Sequence, residues 1–147
     1  MLTTYVNEQY SYSISYPKAD WEILEQNKKQ VYLIPHSPYL GHVRISVLEN
    51  NTLPMSDVAQ RWLFAITQVQ KDVVLVEMMQ MEGLWNWYLS YDYVSDAGEN
   101  FQGEAFLKQE GGRVYLIETA GEKAKYTEYS FGTIVSSFKL LTEQPTK

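Results

Sequence analysis

Residues 10–16 alternate strictly: Tyr10, Tyr12, Ile14 and Tyr16 point one way, and Ser11, Ser13 and Ser15 the other. A period of two marks a half-buried strand, which Pro17 ends. The chain then turns through Lys18-Ala19-Asp20 toward Trp21-Glu22-Ile23-Leu24. Two more strands are expected. One covers residues 30–34 and closes at Pro35; the other covers 42–48, where Val43, Ile45 and Val47 alternate with His42, Arg44 and Ser46. Near Ser56 the period changes. Met55, Val58, Ala59, Trp62, Ala65, Ile66 and Val69 fall on one stripe at the helical period. This predicts an amphipathic helix to about Gln70, with Ser56 as N-cap and Asp57 in the first turn. Phe64 falls nearly opposite that stripe, an apolar side chain that the periodicity does not explain.

A long strand-rich region follows. Strands are expected at residues 73–81, 84–94, 101–108 and 113–119, separated by turn signals at Glu82-Gly83, Asp96 to Asn100 and Glu110-Gly111-Gly112. Within 84–94, Trp85, Trp87, Leu89, Tyr91 and Tyr93 form one face, expected to be core under a helix. Asn86, Tyr88, Ser90 and Asp92 form a more polar face, the better candidate for a binding surface. Beyond Gly121, residues 123–138 read as a second helix with Thr127, Ser130, Phe131, Ile134 and Phe138 on one side. Gly132 weakens that helix by about 1 kcal/mol relative to alanine. Strands joined by tight turns are antiparallel. The pattern therefore predicts one α+β domain, an antiparallel sheet of about six or seven strands flanked by helices. It would span residues 10–141, with 1–9 as an N-terminal extension and Thr142 to Lys147 as a polar tail.

Composition removes functions more readily than it adds them. In 147 residues, 12 Lys and Arg face 18 Asp and Glu, a net charge of −6. That balance argues against a nucleic-acid binder, which needs a basic face to neutralise phosphates. It equally disfavours an anionic membrane surface. With no cysteine there is no disulfide, thiolate metal site or cysteine nucleophile. The longest uncharged stretch, residues 30–43, contains Pro35, Pro38 and Gly41, whereas a spanning helix needs roughly 20 apolar residues. The opening MLTTYVNEQY has no basic and apolar leader pattern. The expected location is extracytoplasmic, at the surface or lipid-anchored, if a leader was removed, and cytoplasmic otherwise.

Candidate chemistry is sparse. His36 and His42 flank a Pro/Gly loop, and neither has a nucleophile or further ligands at useful spacing. No serine elbow, phosphate-binding glycine loop or zinc motif is present. Asp92, Asp96, Glu99 and Glu104 could gather around a divalent cation, but they do not follow a calcium-loop spacing and are expected to be a solvated hairpin end. No cofactor and no metal are expected. Tyr39 and Leu40, in the stiff loop Pro35-His-Ser-Pro-Tyr-Leu-Gly41, could contact a partner, since a preorganised loop loses less entropy on docking. Phe64 could extend such a patch if the fold brings it near.

The order of these features is recognisable. Tyr12-Ser13-Ile14-Ser15-Tyr16-Pro17 followed by Trp21 resembles the opening of PsbP-like domains, an aromatic strand ending in Tyr-Pro and then a Trp. The helix after the third strand, the central hairpins, Tyr115-Leu116-Ile117 and the closing Ile134-Val135-Ser136-Ser137-Phe138-Lys139 follow that family's order over residues 10–140. The resemblance implies an α/β/α sandwich around an antiparallel sheet and no shared catalytic residues. It covers photosystem II extrinsic subunits, a nuclear-import factor that binds Ran, type VI secretion effector chaperones and bacterial surface lipoproteins. The lipoprotein branch is the most similar. The expected function is thus a non-enzymatic domain that binds a protein or cell-envelope partner. The alternatives are a small-ligand or divalent-cation module with a pocket between sheet and helix, and an intracellular effector chaperone gripping an apolar helix of its client.

Overall fold

A computed structural model describes residues 1–36 and 39–141. Ten strands, two α-helices and a 3₁₀ segment run in the order β1 (Leu2–Asn7), β2 (Tyr12–Pro17), β3 (Trp21–Asn27), β4 (Gln30–Pro35), β5 (His42–Leu48), α1 (Met55–Val69), β6 (Lys71–Gln80), β7 (Trp87–Val94), β8 (Asn100–Glu110), β9 (Arg113–Glu122), the 3₁₀ segment (Lys123–Tyr129), α2 (Phe131–Ser136) and β10 (Lys139–Leu140). Seven strands make one antiparallel sheet in the order β3-β4-β5-β9-β8-β7-β6. Three make a smaller sheet, β1-β2-β10, also antiparallel. The chain is an α+β domain with the large sheet as its middle layer.

The alternation seen in the sequence decides which residues face which layer. On one side of the large sheet, Val31, Leu33, Val43, Ile45, Val47, Tyr115 and Ile117 pack against the small sheet, the 3₁₀ segment and α2. That core is aromatic. Phe138 lies between Tyr12, Tyr115 and Trp85, with ring centroids 4.9–5.7 Å apart. The Tyr129 ring stacks on Phe131 and crosses Gly41 and Gly121, where an added Cβ would come within 2.9 Å of the ring. On the other side, Val58, Ala59 and Ile66 of α1 cover Leu89, Tyr91, Ala105, Leu107 and Leu116. Among the described residues no helix is long and apolar enough to cross a membrane.

The structure corrects several expectations. Residues 2–7, which the sequence places in an N-terminal extension, form β1 and pair with β2 along its whole length. The third layer is therefore built largely from strands. The 123–138 helix is broken: a 3₁₀ segment and a short α-helix meet at Ser130, whose φ of 62° lies in the left-handed region. The break lets Tyr129 and Phe131 both reach the core, which a straight helix would separate around its circumference. Ser56 is inside α1, whose N-cap is Pro54 without a side-chain cap bond. Trp85 precedes β7 and turns to the aromatic core, away from Leu89, Tyr91 and Tyr93. The expected five-residue stripe is thus divided between the two sides. The 142–147 tail lies outside the described residues.

Candidate functional site

Register places a row of chemically distinct residues across the α1 side of the sheet. Leu24 on β3 pairs with Tyr32 on β4, Tyr32 with Arg44 on β5, and Arg44 with Glu118 on β9. Glu118 then pairs with Ala105 on β8, which lies under α1. α1 packs over β6, β7, β8 and part of β9 but leaves this face of β3 and β4 open, where Leu24 and Ile34 are exposed, so Glu118 sits where the covered and bare parts meet. Arg44 Nη2 lies 3.1 Å from its Oε1, His42 Nε2 lies 3.4 Å away, and the Tyr91 hydroxyl donates to Oε2 at 3.0 Å. The residue is only 4 % exposed. Burial, the strongest influence, would raise its pKa, but the His42 hydrogen bond, the Arg44 charge and the Tyr91 hydroxyl outweigh it. The carboxyl is held below the usual range and stays ionised.

Tyr91 reaches Glu118 because of Gly103. Its ring lies over that glycine, and a Cβ there would come within 2.7 Å of the ring and its hydroxyl. Burial and the neighbouring Glu118 charge push the Tyr91 hydroxyl pKa well up, so it remains a donor. Beside this cluster is a cavity of about 280 Å³ lined by His42, Arg44 and Glu118 below, Tyr32, Tyr91, Tyr93 and Trp62 as walls, and Ala65, Ile66, Val69 and Gln70 from α1. Trp62 stands edge-on to Tyr91, centroids 5.4 Å apart.

Sequence spacing missed this site. His42, Arg44 and Glu118 are far apart in the chain, and Glu118 interrupts an apolar strand; a carboxylate amid Tyr115-Leu116-Ile117 was the available signal. His36 goes elsewhere, its Nδ1 bonding the Ala19 carbonyl at 2.8 Å. The hairpin carboxylates do not converge. Lys123 Nζ bonds Asp92 at 2.7 Å, Tyr88 and Tyr126 donate to Glu104, and Asp96 and Glu99 lie at the hairpin end. Among the described residues no three histidines or carboxylates gather to hold a metal ion. The face of Tyr88, Ser90 and Asp92, expected to be a binding surface, is largely covered, with Ser90 buried. Beside it an apolar groove of about 410 Å³ runs between α2 and the sheet, past Leu84, Trp85, Phe106, Phe131 and Val135.

The expected contact residues are dispersed. Leu40 is 58 % exposed, whereas Tyr39 packs on Tyr129, centroids 5.0 Å apart, on the aromatic side. Ser37 and Pro38 of that loop lie outside the described residues. Phe64 is 66 % exposed on α1, across the large sheet. Among the described residues, β6, which pairs with β7 at the edge of the large sheet, carries several exposed apolar side chains. Val74 and Val76 are 60 % and 62 % exposed, with Leu75 and Met79 also open.

No family model matches the chain, and no curated protein matches it. Solved structures do. The cyanobacterial PsbP (CyanoP) of Synechocystis sp. PCC 6803 superposes with a TM-score of 0.69 at 17 % identity, over 95 % of this chain and 92 % of that one. The Saccharomyces cerevisiae Ran-binding protein Mog1p gives 0.68 at 8 % identity, over 96 % of each chain. LpqN of Mycobacterium tuberculosis, described as involved in cell envelope biogenesis, gives 0.58 at 13 %, over 97 % and 91 %. The chain has the Mog1p/PsbP-like fold.

Proposed function

We propose that the chain is a non-enzymatic binding domain that receives an extended segment of a protein partner along the free edge of β6. The observation that carries this reading is the edge itself. A strand paired on one side presents unpaired N–H and C=O groups, and here the apolar side chains around them are exposed as well. An added strand would satisfy the backbone while Val74, Leu75, Val76 and Met79 supply apolar contact. Phe64, on the helix that leads into β6, belongs to the same docking surface; Tyr39 and Leu40 would make a separate contact. Register shifts between Lys71 and Val74 and between Leu75 and Glu77 shorten the regular edge. Such bulges limit indiscriminate pairing, which favours a partner that fits over polymerisation. A protein-binding use of this fold has a precedent in the yeast Ran-binding protein.

The test is capture of partners by the wild-type chain and by Val74→Lys and Val76→Lys variants, with hydrogen exchange on the complex. The surface positions predict an unchanged fold, loss of the captured partner in both variants, and slowed exchange of β6 amides in the wild-type complex. Undiminished capture, or protection confined to another strand, overturns the assignment.

A further inference from the structure

The cavity beside Glu118 is independent of the β6 edge, and its chemistry is more specific. We propose that it binds a small carboxylate with a flat apolar body, of the size of a single-ring aromatic acid. Three features converge on that class. First, the acceptors of Glu118 are already taken by His42, Arg44 and Tyr91, so a ligand cation would find no free carboxylate on the floor. Second, donors remain. Arg44 has five N–H groups, and its described ion pair uses Nη2 alone, toward Glu118; the Nε is buried too deeply to meet a ligand, but the side chain as a whole is 26 % exposed, which leaves terminal N–H groups for one. A planar guanidinium with unused donors matches a carboxylate better than any neutral group does. Among the residues lining the cavity, Glu118 is the only acid, and Arg44 pairs with it, so the lining carries no net negative charge.

Third, the walls are aromatic. Tyr32, Tyr91, Tyr93 and Trp62 surround the space above the guanidinium, while Ala65, Ile66 and Val69 close it from α1. At about 280 Å³ it lies just below the range of drug-sized pockets, which suits one ring and a short polar group. The ligand would direct its carboxylate to Arg44 and lay its ring among the tyrosines and Trp62. The site is also preorganised: the buried ion pair and the seat of Tyr91 over Gly103 hold the floor without the ligand.

The experiment is calorimetric titration and thermal melting of the full chain with benzoate and 4-hydroxybenzoate, each compared with its neutral amide. Saturable binding of the acids is expected, with a rise in Tm on the order of 5 °C at ~100-fold excess over Kd. The amides should bind at least about tenfold more weakly. Arg44→Lys keeps the charge but loses the planar fork, so affinity should fall by about tenfold or more. Should that variant unfold, Ala65→Phe decides the matter: this exposed position lies at the cavity wall, away from the ion pair, and a phenyl ring there fills the space. It should abolish binding without lowering Tm. The proposal is overturned by absence of saturable binding to the wild-type chain up to ~10 mM acid, by equal affinity for acid and amide, or by full affinity in Ala65→Phe.

Discussion

The two sides of the seven-stranded sheet use the same strands and solve opposite problems. One side is closed by a second sheet, a 3₁₀ segment and α2, and its core is almost wholly aromatic and aliphatic. The other carries a single long helix over part of its surface, and at the boundary an acid, a guanidinium and an imidazole meet. Closing a face on all sides removes apolar area from water and requires little geometry beyond fit. Holding Glu118 ionised beneath the surface costs desolvation, which the fold offsets with three placed donors. A buried charge is weak evidence of stabilisation, since an apolar replacement of similar shape is often as stable. The closed side is thus mainly apolar packing, and the half-open side holds the buried ion pair beside its own apolar clusters.

Truncation should separate the two sides by size of effect. Phe138→Ala removes a ring that touches Tyr12, Tyr115 and Trp85 at the centre of the closed side. Chemical denaturation should show a loss of about 3–5 kcal/mol. On the other side, Arg44→Met leaves Glu118 with less compensation and should cost about 3 kcal/mol, whereas Arg44→Met with Glu118→Leu should recover most of it. If the double variant is as unstable as the single one, the ion pair stabilises the fold outright and the contrast between the sides fails. Gly103→Ala comes next. Its methyl must displace the Tyr91 ring and with it the bond to Glu118, for an expected loss of about 2 kcal/mol.

Acid should weaken the half-open side selectively. Glu118 has a folded pKa below its ordinary value of about 4.5, so the unfolded chain takes up its proton first as pH falls. Its stabilising contribution is full above that value and is lost as pH drops through the folded pKa. Glu25 and Glu49, lowered mainly by hydrogen bonds from Lys28 and Lys29, act in the same direction from the surface. Urea titrations from pH 7 to pH 3 should show a shallower acid decline in the Arg44→Met, Glu118→Leu variant than in wild type. Identical declines would mean that the surface carboxylates carry the effect.

Legibility in the sequence follows the same division. Period-two alternation located β2, β4 and β5 within about two residues, because a side chain on a strand has only two directions and one was apolar. Helical spacing over residues 123–138 fits one continuous helix, of which only Phe131–Ser136 is α-helical, and packing of Tyr129 and Phe131 shows the break. β1 escaped notice because its exposed face carries Leu2, Thr4 and Val6 and its other face is only partly buried. The ion-pair site was invisible for another reason. Its members lie on β5, β7 and β9, and their proximity is a property of sheet order, which no local spacing encodes.

Phe64 provides the smallest effect and a sharp control. Helical periodicity already put it opposite the buried stripe, and it stands exposed on the outer face of α1, where Met55, Val58, Ala59 and Ile66 do the packing. Replacing it with alanine removes little area from the folded core and improves helix propensity slightly. Denaturation midpoints should therefore move by less than about 0.5 kcal/mol in free-energy terms. Binding to a partner that docks across α1 and β6 should nevertheless weaken, because an exposed aromatic on a rigid helix is a low-entropy anchor. A loss of stability beyond about 2 kcal/mol would place Phe64 in the packing of the half-open side. That side would then be held by its helix as firmly as the closed side is held by its rings.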